Sequence, residues 1–120
     1  MVMLINFDDF SMESQDRLHY HLITIVGSFN IKCLVEARNE ITNLLDLSAK
    51  NFIFNLEKCT EMDSSTIGML SNLYKKLLER DGSMGILAPS AQMERLLHET
   101  GLDKIIPIYS CLEEVESFYD

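Results

Sequence analysis

Hydrophobic positions along this chain fall into two rhythms. Tyr20 to Val26 places Leu22, Ile23, Ile25 and Val26 on both faces of an extended segment and predicts a strand. Phe52 to Leu56 is almost uniformly apolar, as expected of a central strand covered on both sides. Met84 to Ala88 repeats the pattern and stops at Pro89. Between these runs the spacing changes to threes and fours. Leu34, Ala37, Ile41, Leu44 and Leu45 mark a helix from about Ile31 to Leu47. Ile67, Leu70, Tyr74, Leu77 and Leu78 mark a second, from Ser64 to Arg80. Met93, Leu96 and Leu97 form the inner face of a third, with Ser90 as its cap and Gly101 as its stop.

The remaining segments carry weaker signals. Met3 to Phe7 is a thin strand candidate, and the polar run Ser11 to Arg17 reads as a loop or as a turn joining two antiparallel strands. Gly27-Ser28-Phe29-Asn30 breaks the first strong strand, and Gly82 suits a left-handed helix terminus. Ile105 to Tyr109 reads as an edge strand, because Pro107 lacks a ladder donor. Ser110 and Glu113 fit a capping box that opens a last helix through about Phe118. Strands alternating with helices predict an α/β fold, a mixed β-sheet with about four α-helices packed on it, antiparallel at its start. Nothing divides the chain, so residues 1–120 read as a single domain.

Composition narrows the possible roles. At 120 residues and 47% hydrophobic content the chain can bury a substantial core. No run approaches the ~18 apolar residues of a membrane span. The first ten residues contain Asp8 and Asp9 and no basic cluster, so no secretion signal is expected and the cytoplasm is the expected location. Cys33, Cys59 and Cys111 lack ligand spacing and read as free thiols. A net charge of −9 argues against nucleic acid and anionic membrane as partners. The basic doublet Lys75-Lys76 reads as a solvated helix face.

Catalytic motifs are missing. There is no glycine-rich nucleotide loop and no strained elbow around Ser64. His19 and His21 alternate along a strand without a third ligand in view, so neither metal nor cofactor is expected. Glu113, Glu114 and Glu116 suit the start of a terminal helix. The informative segment is Met62-Asp63-Ser64-Ser65-Thr66-Ile67-Gly68, where an apolar strand gives way to an amphipathic helix. Asp63, Ser64 and Ser65 are helix-capping residue types. A helix N-terminus also tolerates an added anion, so Ser64 or Ser65 is positioned to carry a phosphate. Thr66, Ile67 and Met69 are expected to leave apolar surface on the first turn. The loop from Gly27 to Asn30 is expected on the same sheet edge.

With these segments in order, the chain resembles the STAS domain, and more narrowly the anti-sigma factor antagonists, over about Leu22 to Phe118. Asn55 to Ser65 is similar to the family's strand-loop-acceptor segment, and Glu94 to Ile106 to its helix-Gly-Leu-strand ending. The resemblance implies a non-enzymatic switch. Its unphosphorylated form would bind an anti-sigma factor that is itself a GHKL-type serine kinase, and so release the sigma factor. Phosphorylation at Ser64, with Ser65 the lesser candidate, would end that binding, and a PP2C-type phosphatase would restore it. The implied partner surface comprises Asn30, Met62, Asp63, Ser65, Thr66, Ile67 and Met69, on a monomer. Two positions depart from the family pattern: Asn30 replaces a common Asp, and Thr66 a Gly. The alternative implied role is a non-sigma partner switch, or a structural subunit of a stressosome-like or transporter-associated complex.

Overall fold

The apolar runs assemble into one mixed sheet, which the computed structural model describes with four α-helices over residues 1–119. In chain order the elements are β1 (Val2–Asn6), β2 (Phe10–Asp16), β3 (His21–Phe29), α1 (Leu34–Asp46) and β4 (Asn51–Met62). They continue with α2 (Ser64–Glu79), β5 (Ser83–Leu87), α3 (Ala91–Thr100), β6 (Ile108–Tyr109) and α4 (Leu112–Tyr119). The strands lie side by side in sequence order. The β1–β2 and β2–β3 pairs are antiparallel, and β3 through β6 run parallel.

Alternation along the central strands divides the core. Phe52, Phe54 and Leu56 of β4 join Ile23 and Ile25 of β3 beneath α1, α2 and α3. Ile53 and Leu22 face the other way and meet Val115 of α4, with Tyr20 and Leu87. The latter face is closed by polar contacts. Arg17 and Tyr20 both donate to Glu116 Oε1, at 2.6 and 2.9 Å, and Tyr20 stacks on Tyr119 with ring centroids 4.9 Å apart. Burial and the hydrogen bond to Glu116 push the Tyr20 phenol up to about 12.

Three segments differ from the sequence expectation. Ser11 to Arg17 is neither a loop nor a turn between two strands: Ser11 to Asp16 belong to β2, whose Phe10, Met12 and Ser14 point inward while Ser11, Glu13 and Gln15 are half-exposed. The first strong strand runs on to Phe29 rather than stopping at Gly27. Gly27 sits at φ +91°, where a Cβ would lie 2.2 Å from the Asp9 carbonyl oxygen. The left-handed residue after α2 is Asp81, at φ 57°. Gly82 is required for a different reason, since a Cβ there would lie 2.0 Å from the Lys50 carbonyl oxygen.

β4 is also longer than its apolar run. Its second half, Glu57 to Met62, continues as strand through exposed Glu57, Lys58, Thr60 and Glu61 because β3 pairs alongside it. This extension places Met62 beside Phe29 at the carboxyl ends of two adjacent parallel strands. The following residues, Asn30 and Asp63, therefore leave the sheet next to each other. Ligand and partner sites in open α/β sheets gather at such strand ends.

Candidate partner-binding site

Asp63 organises this edge. Its extended backbone makes it the N-cap of α2, and its Oδ1 accepts from the Thr66 backbone N–H at 3.0 Å and from Ser65 Oγ at 2.6 Å. Its Oδ2 accepts from the backbone N–H of Ile31 at 2.9 Å, across 32 residues. One carboxylate thus caps a helix and fastens the start of the next segment after β3. Partial burial of the carboxyl opposes ionisation, but the donors from Ser65, Thr66 and Ile31 outweigh it and hold Asp63 below the ordinary carboxylate range.

Thr66 completes the junction. Its Oγ1 accepts from the Asp63 backbone N–H at 3.1 Å, closing a capping box in which Thr stands at the third helical position. The same hydroxyl has one proton to donate and lies 3.1 Å from the Phe29 carbonyl oxygen and 3.0 Å from that of Asp63, so it stands between the cap and the end of β3. Asn30 holds the neighbouring turn. Its Oδ1 accepts from the Lys32 N–H at 2.9 Å, and its Nδ2 donates to Glu61 Oε1 at 3.2 Å.

Burial sorts the expected surface residues into two groups. Asn30, Asp63, Ser65 and Ile67 are half-exposed and Ser64 is exposed. Met62, Thr66 and Met69 are not on the surface: they are 7%, 0% and 7% exposed. The stripe of α2 that docks on the sheet runs through Thr66, Met69, Leu70, Leu73 and Leu77, which turns the first two inward. Ile31 and Val35, 66% and 61% exposed, were absent from the expected surface, and they extend its apolar area beside Asp63 and along α1. Val35 falls outside the repeating inner positions of α1, whereas Ile31 lies in the 3-10 turn that precedes that helix and has no such periodic signal.

The two serines differ in their bonding. Ser65 Oγ is committed to Asp63, whereas Ser64 Oγ makes no hydrogen bond among the described residues. Ser64 is also the first residue of α2, where backbone N–H groups lack helical partners and an anion is favoured. Two thiols lie beneath this edge, with Cys33 Sγ 3.2 Å from the Asn30 carbonyl oxygen and Cys59 Sγ 3.4 Å from that of Glu61. Cys33 and Cys59 are buried, and burial pushes both upward, away from the reactive thiolate. Among the described residues no group of three or more His, Cys, Asp or Glu is arranged to hold a metal ion, and no helix is long and apolar enough to cross a membrane.

A small α/β domain with a hydroxyl-bearing helix cap at the ends of its parallel strands defines the class. The family model of the STAS domain matches residues 10–115, and the chain belongs to the STAS domain family. Its fold is that of the crystal structure of an anti-sigma factor antagonist from Mycobacterium paratuberculosis. The two superpose with a TM-score of 0.83 at 22% identity, covering 97% of this chain and 98% of that one. The Bacillus cell fate determinant SpoIIAA in its phosphorylated form superposes with a TM-score of 0.72 at 22% identity, covering 92% of this chain and 99% of that one. An anti-sigma F factor antagonist of Paenibacillus polymyxa is 33% identical over 60 residues. That match spans 50% of this chain and about half the relative's own length, 51%.

Proposed function

We propose that this protein is an anti-sigma factor antagonist whose capture of an anti-sigma serine kinase is switched by phosphorylation of Ser64. The observation that carries the reading is the contrast between the two serines: Ser64 is exposed and unbonded, Ser65 is held by Asp63. The anti-sigma antagonists among its relatives support the partner, and the SpoIIAA structure in phosphorylated form supports the modification.

In this reaction Ser64 Oγ attacks the γ-phosphorus of ATP held by the kinase. The new P–O bond forms as the bond to the departing ADP oxygen breaks, and the hydroxyl proton leaves to a base. That base belongs to the kinase, because Asp63 is occupied by its three donors and is held as a weak base. This chain supplies the acceptor and its placement. The attached phosphate adds about −1.5 to −2 charges. The open N-terminus of α2 tolerates that charge locally, while Asp63 and Glu61 nearby already make the edge acidic. A docked partner surface meets repulsion, bulk and an ionic group to desolvate. A tenfold loss of affinity needs only ~1.4 kcal/mol, so one phosphate is enough to switch binding. A PP2C-type phosphatase resets the switch, and the resting protein is a cytoplasmic monomer.

The test is phosphate incorporation from labelled ATP with the serine kinase encoded nearest to this gene, read by intact-mass spectrometry. Ser64→Ala is expected to take up no phosphate and to retain kinase binding, and Ser65→Ala to be phosphorylated. Full incorporation into Ser64→Ala overturns the assignment.

A further inference from the structure

Between α1 and α2 runs a groove of about 520 Å³ whose floor is Ile41, Leu45, Met69 and Leu73. Its rim carries Arg38, Lys75 and Lys76, three of only ten Lys and Arg in a chain with 19 acidic residues. No carboxylate lines it. The other hollows described each include acids, such as Asp16 and Glu40, or Glu61 and Glu99. Among the described residues the ion pairs are Arg17–Glu116 and His98–Asp103, so the three rim cations have no carboxylate within bonding reach. Arg80 donates to the Leu45 carbonyl oxygen at 3.1 Å and fixes one end, adding a fourth cation there. An acidic protein has therefore gathered unpaired positive charge along one apolar-floored trough.

We infer that this groove docks an acidic amphipathic helix of the partner protein. Two dimensions fit that occupant. Arg38 to Leu45 and Met69 to Lys76 are each a seven-residue step, about 10 Å of helix. A partner helix with apolar anchors at i, i+3 or i+4, and i+7 covers the same length. The groove is also continuous with the edge described above, because α2 begins at Ser64 and Val35 lies one turn before Arg38 on α1. Val35, at 61% exposure, supplies apolar surface beyond the floor. Carboxylates on the flanks of the incoming helix would meet Arg38, Lys75 and Lys76, and its anchors would lie over the shallow floor, where Ile41, Leu45, Met69 and Leu73 keep only 4–7% of their surface exposed, and against exposed Val35. The inference rests on the partner-binding reading for the existence of a protein partner, and it is independent of phosphate transfer.

The experiment is an amide NMR titration of the full chain with a synthetic peptide of about four helical turns, Leu at every third or fourth position and Glu on both flanks. A second peptide carrying Lys in place of each Glu is the control. Shifts are expected at 38–45 and 69–76 with the Glu peptide only, weakening as salt screens the charges. Lys75→Glu with Lys76→Glu is expected to weaken binding by about tenfold or more, and Arg38→Gln, a milder change, to weaken it less. Circular dichroism of both variants checks that the fold is kept. Absence of groove shifts with the Glu peptide, equal shifts with the Lys peptide, or unchanged binding by the reversed variant overturns the inference. No phosphate enters the titration, so its failure is distinguishable from a failure of Ser64 in the kinase assay.

Discussion

Asp63 and Thr66 concentrate more of the site's structure than any other pair of side chains. Asp63 accepts from three donors on two segments, and Thr66 bridges the cap to the end of β3. Asp63→Ala removes the N-cap and frees the Ile31 N–H, with an expected loss of about 1–2 kcal/mol, measured by urea unfolding. Thr66→Val keeps the shape but leaves the Asp63 N–H without its acceptor, an expected loss of about 1–3 kcal/mol. The pH dependence follows from the depressed Asp63 carboxyl. Its contribution is fully present above the ordinary value of 3.8 and is lost as pH falls through its lower folded value. An acid titration of melting temperature should therefore show a loss near and below pH ~4 that Asp63→Asn lacks.

At the scale of elements, α2 and the turn after it show how the same residue type serves two purposes. Gly68 lies inside the helix, and a Cβ added there would meet nothing within 4 Å, so the fold gives no reason for it. Gly68→Ala is expected to raise stability by about 1 kcal/mol through helix propensity, read as a higher urea midpoint. Gly82 is the opposite case. Its missing Cβ leaves room for the Lys50 carbonyl oxygen, which accepts from Ser83 N–H at 3.0 Å. Gly82→Ala is expected to destabilise by about 1–3 kcal/mol in the same measurement. The polar strand β2 teaches a related lesson. Its inward Phe10, Met12 and Ser14 have a strand's period of two, but Ser14 and the polar outer residues dilute the apolar signal. Pairing with β3 on one side and β1 on the other supplies what the composition lacks.

Across the whole molecule, α4 closes the face of the sheet opposite α1, α2 and α3 through Val115 and the Arg17–Glu116–Tyr20 contacts. The Tyr20 phenol, at about 12 when folded, favours the folded state below its ordinary value of 10.0. As pH rises from there the unfolded chain ionises first, so this contribution is lost between pH 10.0 and about 12. Tyr20→Phe is expected to flatten the alkaline fall in melting temperature across that window. Unchanged alkaline behaviour in the variant would sever the link between this phenol and global stability.

Local sequence determined the helices, the two strongest strands and the Asp63-Ser64-Ser65 cap, because each is written in nearest-neighbour periodicity or in one residue's capping chemistry. The resemblance of those segments in order carried the STAS fold. Tertiary structure alone decided the rest. It extended β4 through charged residues by pairing it with β3, and turned Thr66 and Met69 from the expected surface into the core. It fastened the Ile31 N–H to the Asp63 carboxylate across 32 residues, joining the cap to the segment after β3. It also brought Arg38 beside Lys75 and Lys76, far apart along the chain, across a groove that no single stretch of sequence contains. The physical reason is common to all four: which side of an element is covered depends on what the chain folds against it.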